Sequence, residues 1–139
     1  MSLKALGDPA MDHDPLSATL FRHAVELNSA VGRMLDTTEL RHRRLLANRI
    51  SDGVMTVTGT LRAAAGLRHS DFLSQLRRTA SLRAAVRSIQ DVEHLVATAQ
   101  ENGYATPDQV APVLDRLAVI RAVIAALEAS QPSERREAA

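Results

Sequence analysis

Apolar residues recur at three- and four-residue spacing along four stretches of the chain, the period of one face of an α-helix. The first stretch runs from about Pro15 to Leu35, with Leu20, Ala24, Leu27, Val31 and Met34 in one stripe, widened by Phe21, Val25 and Leu35. Asp36 followed by Glu39 has the form of a capping box and predicts a second helix from near Thr37. Arg43, Leu46, Ile50, Val57, Leu61 and Ala64 share one face of that helix, which ends near Gly66. Its weakest part is GVMTVTGT (53–60), whose glycines and β-branched residues also suit a strand. A lone strand would have nothing to pair with, so the reading is helical. Ser70 and Asp71 open a third helix, carried by Phe72, Leu76, Ala80, Leu82, Val86, Ile89, Val92, Val96 and Ala99 to a stop at Asn102-Gly103. Thr106, Pro107 and Gln109 start a fourth, with Val113, Leu117, Ile120, Ile124 and Leu127 in heptad register. Pro112 lacks an N–H and predicts a kink in its first turn.

Short connections between long helices make sequential neighbours antiparallel, so the pattern predicts an all-α, up-down-up-down four-helix bundle. The expected bundle spans residues 14–130, between disordered tails at 1–13 and 131–139. Two helices are apolar beyond the one stripe a bundle needs. Val119, Val123 and Ala126 lie off the seam of the fourth, and Phe21 and Val25 widen the first. These five residues are the expected oligomer interface. The competing reading is that a wide stripe simply sits deep in its own bundle.

Composition narrows the core and the chemistry. With Phe21, Phe72 and Tyr104 as the only aromatic residues, the core must be built from Leu, Val, Ile and Ala, which suits helix packing. Cysteine is absent, which excludes disulfides, thiolate metal sites and cysteine nucleophiles. No signal-peptide core and no run of 18 apolar residues occurs, so a soluble cytoplasmic protein without membrane contact is expected. The net charge of +1 hides an asymmetry. Residues 41–87 hold ten arginines against Asp52 and Asp71, a local +8; the remainder holds seven basic and fourteen acidic residues, −7.

The stretch SIQDVEHLVATAQENGY (88–104) resembles the third helix of the "four helix bundle protein" family. That family includes proteins encoded by intervening sequences in bacterial large-subunit ribosomal RNA genes and the accessory protein of diversity-generating retroelements. Ser88, Ile89, Asp91, Val92, Glu93, Ala99, Gly103 and Tyr104 fall in step with its pattern. ISDG (50–53) is similar to the family's Asn-Ile-Ala-Glu-Gly motif, with Arg49 where the asparagine stands. The two motifs lie about two heptads further apart here, roughly one heptad added per helix of a hairpin. The resemblance implies an antiparallel four-helix bundle assembling into a ring, a homopentamer in known relatives. It implies no enzymatic activity, and in the retroelement branch binding to nucleic acid and a reverse transcriptase.

Three constellations carry candidate chemistry. In a hairpin of the second and third helices turning near residue 68, Arg43 lies level with Glu93, and Asp52 with Arg83, one turn from Arg87. These predict interhelical ion pairs that fix register. Glu39-x-x-His42 and Asp91-x-x-His94 have the spacing of a bundle carboxylate–histidine metal site, with Asp115 as a fourth candidate. Asp91 and His94 fall off the apolar stripe, however, so no metal or other cofactor is expected. His13, His23 and His69 are read as surface residues. Finally, Arg41, Arg44, Arg62, Arg68, Arg77 and Arg78 make the hairpin positive. Such a surface can grip the phosphates of structured RNA or duplex DNA without sequence preference. The alternative is a solvated face whose arginines pair with Asp36, Glu39, Asp91, Glu93 or a neighbouring subunit. No phosphate-cradling glycine loop or hydrolase motif occurs, so no small-molecule substrate is indicated. The expected function is a non-enzymatic, self-associating bundle, with nucleic acid as a candidate partner and a purely structural or protein scaffold as the alternative.

Overall fold

The computed structural model describes residues 15–66 and 72–129. The predicted tails, and the turn holding Arg68 and His69, lie outside them. Among the described residues the chain is all-α, with helices α1 (Pro15–Thr37), α2 (Arg44–Gly66), α3 (Phe72–Glu101) and α4 (Pro107–Ala129) and a 3-10 turn at Glu39–His42. Each helix packs against its sequence neighbours, and α1 packs against α4, which closes a four-helix arrangement. Cross-helix contacts join the helices, and the order of Glu93–Arg121 and Arg83–Glu128 shows α3 and α4 antiparallel. Asn28 Nδ2 donates to Thr58 Oγ1 at 3.2 Å between α1 and α2. Arg116 of α4 meets Glu26 of α1, and Arg121 of α4 meets Glu93 of α3.

The heptad stripes set the core. Leu20, Ala24, Leu27, Val31 and Met34 of α1, and Val113, Leu117, Ile120, Ile124 and Leu127 of α4, are all buried as their spacing predicts. On α2 the stripe is Ile50, Val54, Val57, Leu61 and Ala64, so the segment 53–60 is helical. Its threonines do not oppose the helix, because each hydroxyl donates to a carbonyl one turn back: Thr56 to Asp52 O, Thr58 to Val54 O and Thr60 to Thr56 O. Gly53 has a packing reason. A Cβ built there would stand 2.7 Å from Cγ2 of the buried Val92, so α2 and α3 approach more closely than any other residue would permit.

On α3 the stripe differs from the expected one in its first half. Arg78, Leu82, Ala85, Ile89, Val92, Val96 and Ala99 are buried at alternating four- and three-residue spacing. Phe72, Leu76 and Ala80 are exposed, and Val86 packs only partly against the core. The approach at Gly53 and Val92 places α3 about two turns along α2 from a hairpin turning symmetrically at residue 68. The first turns of α3 therefore lie past the end of the α2 stripe, and their apolar side chains have no α2 surface to cover.

The corner between α1 and α2 also departs from expectation. Asp36 does not cap α2, because α1 continues to Thr37. Instead the buried Thr38 hydroxyl donates to Met34 O at 2.7 Å and accepts from Leu40 N at 3.2 Å, ending α1 and starting the 3-10 turn. Leu40 is fully buried and closes this end of the core. The α3–α4 corner stands beside it. Gly103, at φ 75, lets Tyr104 N reach Ala99 O and Gly103 N reach Gln100 O, a Schellman stop. Thr106 and Gln109 exchange side chain-to-backbone hydrogen bonds, a capping box that starts α4. Glu39 N donates to Tyr104 O at 3.2 Å and ties the two corners together. Helix α4 runs through Pro112 without a break.

Two glycines of α2 provide a direct check. At Gly59 nothing lies within 4 Å of a built Cβ, so Gly59→Ala should stabilise the fold by about 0.5–1 kcal/mol through helix propensity. Gly53→Ala should destabilise it by about 1–3 kcal/mol, because the stiff Val92 side chain must move. Chemical denaturation separates the two, and equal effects would remove the close approach as a constraint.

Candidate functional site

The expected basic surface does not converge. Arg78 is 1 % exposed on the α3 seam, so it is not available to a phosphate backbone; the heptad spacing back from Ala85 and Leu82 carries the signal that places it there. Arg68 lies outside the described residues. Arg41 is exposed within the 3-10 turn and Arg44 at the start of α2, whereas Arg62 and Arg77 are exposed towards the opposite end. Arg44 and Arg62 are separated by about 27 Å along α2, more than two Debye lengths at physiological salt. Arg62 stands over the Phe21 ring at 5.8 Å.

The expected ion pairs are replaced by others. Arg43 does not reach Glu93, because the chain leaves helical geometry at that residue. It stacks over the Tyr104 ring at 4.5 Å, with its Nη2 3.9 Å from Glu39. Glu93 instead meets Arg121 of α4, whose Nη1 lies 3.2 and 3.3 Å from its two carboxylate oxygens. Arg83 stands 3.9 Å from Glu128 of α4 rather than beside Asp52. Asp52 shares a shallow pocket with Arg49, Gly53, Asp91, His94 and Leu95, away from Arg83 and Arg87. Two of the five hairpin residues, Glu93 and Arg83, thus pair across α3–α4. The metal constellation does not assemble either. Glu39 and His42 lie in the 3-10 turn, and among the described residues no three His, Asp or Glu side chains come together as a metal site.

What the fold does assemble is a groove between α1 and α4. It is lined by Val25, Glu26, Ser29 and Arg33 from one helix and Pro112, Asp115, Arg116 and Val119 from the other. Val25 is 50 % exposed, Val119 38 % and Phe21 45 %. Ala126 is exposed further along α4, and Val123 is half-buried against the core. Val25 and Val119 therefore meet at the α1–α4 groove, whereas Phe21 stands against Arg62 of α2.

A polar cluster pins the groove floor. Arg116 Nη2 lies 2.7 Å from Glu26 Oε2, and Arg116 Nη1 lies 2.7 Å from His23 Nδ1. His23 is half-buried here rather than a surface residue. Because a guanidinium has only donors, Nδ1 must accept, which leaves His23 neutral with its proton on Nε2. Burial, and then the Arg116 charge, push the His23 pKa below its ordinary 6.5; Glu26 opposes them and Arg22 adds to them. Sequence spacing could not find this trio, whose members belong to the first and last helices.

Among the described residues no helix is long and apolar enough to cross a membrane. His23 supplies a titration test. Its lowered pKa means that the unfolded chain binds more protons, so this group's contribution to stability is present above pH 6.5 and lost as pH falls below it. Arg116→Ala should raise the His23 pKa in a nuclear magnetic resonance titration and flatten that acid-side loss. An unchanged His23 titration would mean that the contact does not hold in solution. No family model, no curated protein and no solved structure matches this chain.

Proposed function

We propose that this protein acts by self-association, as a non-enzymatic helical scaffold whose α1–α4 face docks on another copy. The exposed Val25 and Val119, which line the α1–α4 groove together, carry this reading. Leaving an apolar face in water forgoes about 25 cal/mol per Å² that burial against a partner recovers, and large exposed apolar patches mark interaction surfaces. The Arg116–Glu26–His23 cluster supports it further, since it holds α1 and α4 as one surface. Val25→Asp with Val119→Asp should reduce the mass in light scattering to the 15.1 kDa of one chain while the helical circular dichroism is kept. A parent protein that already runs at that mass would end the proposal.

A backbone-phosphate grip is the second reading. It is favoured by the exposure of Arg41, Arg44, Arg62 and Arg77, none of which takes a carboxylate partner among the described residues. Binding to a labelled structured RNA should then fall steeply between low and physiological salt. Arg44→Glu and Arg62→Glu should each weaken it without altering the assembly. Absence of binding at low salt leaves the scaffold alone.

A further inference from the structure

We infer that the α1–α4 groove packs on the same groove of a second copy about a two-fold axis parallel to the bundle, with Arg33 of each chain paired to Asp115 of the other. This rests on the self-association reading and adds its symmetry and its specificity. The groove runs from Val25 and Val119 at one end to Arg33 and Pro112 at the other. Because α1 and α4 are antiparallel and already level across it, a two-fold along the bundle keeps every residue at its own height and exchanges the helices. Helix α1 of one copy then faces α4 of the second. Val25 meets Val119 of the second copy, and Arg33 stands about one turn, ~5 Å, from Asp115 of the second copy, within an arginine's reach.

Charge favours a second copy over another partner. Four charged side chains line the groove. Glu26 and Arg116 neutralise one another at 2.7 Å. Arg33 and Asp115 are exposed, and neither takes an ion pair among the described residues. The face thus offers one unpaired charge of each sign on opposite walls, which is complementary to itself. A partner surface of a single sign would be repelled by one of the two. Such an isologous contact closes on a dimer, whereas a five-membered ring needs two different faces per chain.

The test is a charge exchange read by sedimentation and light scattering. Arg33→Asp and Asp115→Arg should each weaken the dimer by about tenfold or more, since each places like charges across the contact twice. The double variant should return to twice 15.1 kDa. An equal mixture of the two single variants should also dimerise, because each then supplies the charge the other lacks. If Val25→Asp with Val119→Asp dissociates the protein while the single charge variants keep its mass, self-association stands and the Arg33–Asp115 pairing is overturned. If the singles dissociate and neither the double variant nor the mixture recovers, the pairing is likewise overturned. A parent mass other than twice 15.1 kDa overturns the two-fold dimer.

Discussion

The close approach of α2 to α3 at Gly53 is the constraint on which the rest of the arrangement depends. Without a side chain at Gly53, the buried Val92 sits against the α2 backbone, and any larger residue would meet its Cγ2. That contact fixes the offset between the two helices. The offset decides which turns of α3 face α2, and so puts Arg78 on the seam and leaves Phe72 and Leu76 exposed. It also moves Asp52 beside Asp91 and His94, and leaves Arg83 to meet Glu128. A core of small and branched aliphatic residues suits such packing, because no bulky ring holds the helices apart.

The other end of the bundle is fixed by hydrogen bonding rather than apolar contact. A helix end leaves carbonyls and N–H groups without partners, and a corner near the core cannot leave them all to water. Here the Thr38 hydroxyl serves both sides of one corner, and the turn at Gly103 serves the other. The bond from Glu39 N to Tyr104 O, with Arg43 over the Tyr104 ring, makes the two corners one unit. Arg43 is thereby used at the bundle end, which is why it is absent from the core seam.

The outer surface divides by helix. Arginines of α3 and α4 meet carboxylates across that pair, and Arg116 meets Glu26 between α1 and α4. These exposed or half-exposed pairs add little stability individually, but they orient the helices they join. On the described surface of α2, Arg44 and Arg62 stand five turns apart with Arg49, Asp52 and Met55 between them. The local excess of arginine in the sequence is thus distributed over a core position at Arg78, exposed positions towards both ends, and one cross-helix ion pair, Arg83 with Glu128. On the α1–α4 side, the exposed Val25 and Val119 share a groove with four charged side chains, Glu26, Arg33, Asp115 and Arg116.

The sequence alone determined the helices and most of the core. Heptad spacing in α1 and α4 identified every residue of their predicted stripes as buried, because burial on a helix follows a local period. The stop at Gly103 and the start at Thr106 were equally local, each set by side chains within one turn. The off-seam apolar positions of α1 and α4 were also legible, because amphipathicity needs no partner to be seen. Interhelical register was not legible from a hairpin drawn symmetrically about residue 68. It is fixed by where two backbones come closest, and Gly53 acquires that meaning only once Val92 stands opposite it. The pairings followed the register: Arg43 went to Tyr104, Glu93 to Arg121, and Arg116 to His23 and Glu26. A salt bridge or a groove depends on distance in space, and only the packed tertiary structure brought helices so far apart in the chain to within a side chain's length.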